Sequence, residues 1–215
     1  MEREARRLWA QSVKISDNKS QPAYLYMAKT LLKYQTNAAV DILPEIPILT
    51  DMLRYDVHNG YILARTAPID NWINTNEIDS VSCIAIDYKG NPRNEWRSYN
   101  YRDLTHYKHI RRLNKEILLY MCGKKDGTNV NFTKSIEAAV CFSNTLRGVS
   151  IATLGIPFTQ VFKDQKIVEM LSDRKVTISA QPKCWSDASN ASQILNEQNI
   201  QNRIFGHGAE WQIEI

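Results

Sequence analysis

The sequence predicts an α+β protein rich in helix: an N-terminal helical region to about residue 78, then a mixed region with a small, mostly antiparallel sheet. Three observations lead there. Apolar residues stand on two sides of a helical pattern over residues 22–40 and recur at every third or fourth position over 103–121, the spacing of a buried helical stripe. The run Val81 to Tyr88 is the clearest strand, closed by the turn-forming Lys89-Gly90-Asn91-Pro92. The chain has 215 residues, 43% of them hydrophobic, with no internal repeat, so it is long enough for a full core. The expected organisation is an arm over residues 1–20, a helical region over 21–78 and a mixed region over 79–215, the last two able to form one domain.

Taken in order, residues 2–13 suit a short helix whose apolar members are Ala5, Leu8, Trp9 and Val13, with Trp9 as an anchor on the body or on a neighbouring subunit. The polar stretch Ser16 to Gln21 is the candidate hinge, and Pro22 fits the first turn of a second helix to about residue 40. Pro44 and Pro47 begin a third helix through Tyr55, stopped by His58-Asn59-Gly60, and Tyr61 to Ala64 suits a short strand. Glu95 to Tyr101 returns antiparallel to the strand at 81–88. Asp103 then caps a helix that runs to Met121, with Gly123 just past its end. Thr133 caps a helix to about Leu146 and residues 148–154 form a strand. A helix over 159–172, a strand over 175–179 and a helix over 186–203 follow, and Glu210 to Ile215 alternates like an edge strand.

Charge is modest overall, +4 with a pI near 8.8, but it is unevenly placed. From Lys89 to Lys115 stand eight cations, Lys89, Arg93, Arg97, Arg102, Lys108, Arg111, Arg112 and Lys115, against Glu95 and Asp103, a local +6. Trp96, Tyr99, Tyr101, His106 and Tyr107 are interleaved with them. Cations answer phosphates and flat rings answer bases, so this composition points to a polynucleotide, with single strands or RNA favoured over duplex. On the expected helix Lys108, Arg111, Arg112 and Lys115 occupy an arc apart from the apolar stripe. The plain alternative is a solvated helix face.

Other chemistries find less support. The four cysteines, Cys83, Cys122, Cys141 and Cys184, lie far apart with no C-x-x-C, which argues against an encoded zinc site. No P-loop and no G-x-G-x-x-G is present, so no nucleotide cofactor of the usual kinds is indicated. Asp70 or Asp79 with Asp87-Tyr88-Lys89 has the form of the acidic residue plus D-x-K used by metal-dependent nucleases, in which carboxylates hold Mg²⁺ and the lysine orients water. Cys184, Asp187 and His207 make a nucleophile set only on paper, with no oxyanion turn around the cysteine. No apolar run approaches the length of a membrane span, and the charged N-terminus leads into no export signal, so an intracellular, reducing, cytoplasmic setting is expected.

The reading that results is a non-catalytic nucleic-acid-binding protein, sequence-independent, with no cofactor. Self-assembly as a homo-oligomer in a coat or packaging role extends it. The binding residues expected are Arg93, Arg97, Tyr99, Tyr101, Arg102, Lys108, Arg111, Arg112 and Lys115. The alternatives are the Mg²⁺-dependent nuclease centred on Asp87 and Lys89, and a structural protein-interaction module.

Overall fold

A computed structural model describes residues 3–15, 19, 21–34, 53–69, 80–93, 97–100, 117–123, 127–145 and 148–206. The chain is α+β and forms two compact units, Met1–Ile117 and Leu118–Ile215.

The first unit contains α1 (Arg3–Gln11), β1 (Val13–Lys14), α2 (Gln21–Tyr34), β2 (Leu53–Asp56), β3 (Tyr61–Thr66), β4 (Ser80–Ala85) and β5 (Arg97–Asn100). Its strands lie in sequence order, every neighbouring pair antiparallel. Trp9 of α1 is buried against Leu63, Val81 and Cys83, so the aromatic anchor of the N-terminal segment is used within its own unit. The Arg54 guanidinium stands 5.3 Å from the Trp9 ring and donates to the Trp9 carbonyl at 2.8 Å, tying helix to sheet.

Residues 53–55, expected at the end of a helix, are strand. Leu53 and Tyr55 are buried while Arg54 and Asp56 are half-buried, a period of two. The turn behind them enforces it: the Asp56 carboxylate accepts from His58 N and Asn59 N, and Gly60 takes φ +69° to reverse the chain into β3. A hairpin turn of this kind needs a strand on each side.

The second unit contains β6 (Tyr120–Gly123), β7 (Asn129–Thr133), α3 (Ile136–Thr145), β8 (Val149–Ala152), α4 (Phe158–Val161), α5 (Gln165–Leu171), β9 (Lys175–Ala180), a 3-10 turn (Pro182–Cys184), α6 (Trp185–Glu197) and β10 (Asn202–Gly206). The strand order is β10-β9-β7-β8-β6; β7 to β10 are mutually parallel where they pair, and β6 runs antiparallel to β8. The sheet expected to be small and mostly antiparallel is therefore joined by a second, mostly parallel one. Parallel neighbours require helical crossovers, a long-range feature with no local signature.

Four assignments differ from the pattern reading for identifiable reasons. Residues 120–123, expected to end the basic helix, are β6: Tyr120, Met121 and Cys122 are all buried, and a run buried on both faces mimics any period. The cap of α3 is Ser135, whose Oγ accepts from Ala138 N at 3.2 Å, because Thr133 belongs to β7. Residues 202–206 are β10, since α6 stops at Glu197 and Asn199 reverses the chain at φ +57°. The helix expected over 159–172 is two helices, the second started by the Asp164 carboxylate accepting from Lys166 N.

The two faces of this second sheet differ. Val130, Phe132, Val176 and Ile178 form an apolar face on which Phe132 meets Phe162 edge-on at 4.8 Å. On the other face a polar row crosses the sheet in register: Ser150, Asn131, Thr177 and Arg203. Its members bond one another, Asn131 Nδ2 to Ser150 Oγ at 3.4 Å and Arg203 Nε to Thr177 Oγ1 at 3.1 Å. Ser179 Oγ donates to Asn131 Oδ1 at 2.7 Å. Beyond the carboxyl ends of β7, β8 and β9, Asp187 of α6 accepts from Lys134 Nζ at 2.6 Å, Phe158 N at 2.8 Å and Thr159 Oγ1 at 2.9 Å, pinning three loops together.

Candidate nucleic-acid interface

Cations gather around the loop that follows β4. Ile86 bridges Pro92, and Asp87 N donates to Asn91 O at 2.9 Å while Gly90 N donates to Asp87 O at 3.0 Å, making a tight turn with Tyr88 and Lys89 at its tip. The Asp87 carboxylate is the internal brace. Its Oδ1 accepts from Lys89 N and Asn91 N, both at 2.8 Å, and its Oδ2 from Asn91 Nδ2 at 3.0 Å. These donors, the Asn91 backbone N–H first, hold its carboxyl below the usual carboxylate range, helped by the charge of Arg93.

The turn is clamped to α2. Gly90 sits at φ +71° with its Cα against the helix start, where an added Cβ would stand 2.6 Å from Tyr26 N and 2.8 Å from Pro22 O. Only glycine meets both demands. From the same helix Lys29 Nζ donates to Lys89 O at 2.7 Å and to Asn91 Oδ1 at 2.8 Å. An ammonium has three donors, so among the described residues one of Lys29 is left over.

With the turn fixed from below, its tip projects outward. The Tyr88 side chain is 75% exposed, the most exposed large apolar group among the described residues, and Lys89 Nζ lies 5.5 Å from its ring centroid. Arg93 is exposed on the returning arm, and its charge reaches both Asp87 and Tyr55. Lys89 thus stands beside the exposed ring, with Lys29 bonded to the turn and Arg93 on its returning arm, and none of the three forms a salt bridge among the described residues. A flat ring with one cation beside it and two more about the same turn can stack on a base and bind the adjoining phosphates.

Of the residues expected from sequence, Lys89 and Arg93 are in this patch. Residues 97 and 99 are in β5, where the register sets them opposite Cys83 and Val81. Tyr101, Arg102, Lys108, Arg111, Arg112 and Lys115 lie outside the described residues, as do Asp70 and Asp79 of the nuclease alternative. Two members carry no signal of this role in the sequence. Lys29 is sixty residues away on a helix whose apolar content dominates its pattern, and Tyr88 stands there as the end of a strand and the middle of a D-x-K tripeptide.

Elsewhere, Asp187 serves the start of α4 and Lys134 rather than Cys184, and His207 lies outside the described residues. Among the described residues no three His, Cys, Asp or Glu side chains gather in a way that could hold a metal ion, and no helix is long and apolar enough to cross a membrane. Comparison of the chain with protein-family models, with curated proteins and with solved structures finds no match in any of the three.

Proposed function

We propose that the protein binds nucleic acid without catalysis, holding single strands or RNA independently of sequence. The observation that carries this is the exposed Tyr88 ring with Lys89 beside it, on a turn that also carries Arg93, is braced from within and is clamped from below by Lys29. A rigid platform lowers the entropy lost on binding, and an exposed ring on a cationic turn suits a strand whose bases are unpaired. Asp87, the carboxylate within the patch, is occupied by backbone and amide donors, which supports its role as a turn residue. Because Trp9 is packed inside its own unit, the reading rests on contacts to the polynucleotide and not on exchange of the N-terminal arm.

The test is a salt titration of the affinity for a single-stranded RNA. Three phosphate contacts predict a log–log slope of about −2, so affinity falls roughly 20-fold between about 50 and 200 mM salt. Lys89→Gln should flatten the slope by about 0.7. Tyr88→Ala should weaken binding by about 1–3 kcal/mol at every salt concentration with the slope unchanged. Affinity that ignores both substitutions rejects the reading. Mg²⁺-dependent cleavage of the RNA, lost in Asp87→Ala and kept in Lys29→Gln, would replace it with the metal-dependent nuclease.

A further inference from the structure

The second unit carries a cavity of about 320 Å³ that crosses β8, β7, β9 and β10 near their amino-terminal ends. Its volume is at the lower end of the range for small-molecule sites, roughly 300–1,000 Å³. Alternation along the strands puts Asn129 and Asn131, Lys175 and Thr177, and Arg203 on the polar face described above, and all five line the cavity. A sheet with parallel crossovers ordinarily has two apolar faces. Here one face carries, beside Phe205, the buried amide and hydroxyls of Asn131, Ser150, Thr177 and Ser179, at a cost in burial free energy that calls for a use, with Lys175 and Arg203 exposed at its edge.

The chemistry of the lining selects a ligand class. Among the described residues no lining side chain carries a carboxylate, while Lys175 and Arg203 each bring a positive charge. In the register Arg203 pairs with Thr177, two residues beyond Lys175, so the two backbone positions are about 8 Å apart and one phosphate can lie between their side chains. Arg203 commits Nε to Thr177 Oγ1, which orients the guanidinium, and among the described residues its terminal fork makes no further bond. Asn131 lines the cavity though only 3% exposed, and among the described residues its amide has one N–H and one lone pair beyond its bonds to Ser150 and Ser179. Paired donor and acceptor on one amide is the arrangement that meets a base edge.

We propose that this groove binds one nucleoside phosphate, with Lys175 and Arg203 on the phosphate and the Asn129 and Asn131 amides on the base. The preference for an anion follows from the lining alone; the choice of a nucleotide over another phosphorylated molecule rests on the nucleic-acid reading. A free nucleotide and the phosphorylated end of a strand present the same chemistry to it.

The experiment is calorimetric titration of the full chain with adenosine and cytidine 5′-monophosphates, adenosine and inorganic phosphate. At least one nucleotide should saturate with a Kd below about 1 mM, with adenosine and phosphate each weaker by about tenfold or more. Arg203→Gln and Lys175→Gln, both at exposed positions, should each weaken the nucleotide by roughly 10–100-fold while the thermal transition stays in place. No saturable nucleotide binding, or equal affinity in both variants, overturns the proposal, and inorganic phosphate binding as tightly as the nucleotides overturns the base contact. Competition by a 5′-phosphorylated RNA but not its unphosphorylated form identifies a strand end as occupant; failure of both to compete identifies a free nucleotide. Lys89→Gln should leave nucleotide affinity unchanged while lowering RNA affinity, so that this groove and the turn at Tyr88 stand or fall separately.

Discussion

Replacing Asp187 with Asn tests how the second unit holds its loops together. The carboxylate accepts four hydrogen bonds, from Lys134 Nζ at 2.6 Å, Phe158 N at 2.8 Å, Thr159 N at 3.2 Å and Thr159 Oγ1 at 2.9 Å. An amide oxygen serves two donors at most, and its NH₂ then faces the remaining ones. Two charge-assisted bonds are lost, each worth about 1.5–3 kcal/mol. The Lys134 and Asp187 side chains are 22% and 24% exposed, so solvent screening trims the total to about 2–3 kcal/mol. Lys134 keeps its bond to Ile156 O at 2.8 Å and its place 3.8 Å from the Phe158 ring centroid, which limits the loss. For a unit of this size 1 kcal/mol moves Tm by about 4–8 °C, so calorimetry should find the affected transition roughly 10 °C lower or more at neutral pH. The pH dependence supplies a second reading. Burial raises the Asp187 carboxyl, but Lys134 and the Phe158 and Thr159 donors outweigh it and leave it lowered. A lowered carboxyl stabilises fully above its unfolded value near 3.8 and loses that contribution as pH falls through the folded value, so the gap between Asp187→Asn and wild type should close in acid. Melting within about 1 °C of wild type at neutral pH, or a gap that persists at pH values well below 3.8, would refute this account.

Two further outcomes follow from the same geometry. Gly90→Ala adds a Cβ 2.6 Å from Tyr26 N at a position with φ +71°; it should destabilise the first unit by about 2 kcal/mol or more in urea unfolding and weaken RNA binding with it, and a neutral effect would mean the turn is not clamped to α2. Burial pushes the Cys122 thiol up to about 12, against the lowering effect of Ser143 and Tyr120, so at pH 8 it stays protonated. Iodoacetamide should therefore modify half-buried Cys184 first and spare Cys83, Cys122 and Cys141 until the chain unfolds, as read by mass spectrometry; early labelling of Cys122 would contradict its burial.

Local pattern was enough for the α+β class, for α1 and α2, and for β3, β4, β8 and β9, because each rests on short-range periodicity or on a turn residue that acts within four positions. The turn at Asp87 was legible for the same reason: its carboxylate braces Lys89 and Asn91, two and four residues on. Strand β7 was not, since nothing in the run around Asn129 and Asn131 marks a strand; Asn131 finds its partners, Ser150 and Ser179, on other strands. Strand β6 resembled a helix end because its side chains are buried on both sides. Lys29 joined the candidate interface only when α2 came to lie under a turn sixty residues later. Periodicity and capping act between near neighbours and are written in the order of residues; burial of a polar row, parallel pairing and the meeting of distant cations depend on contacts that exist only once the chain has closed on itself.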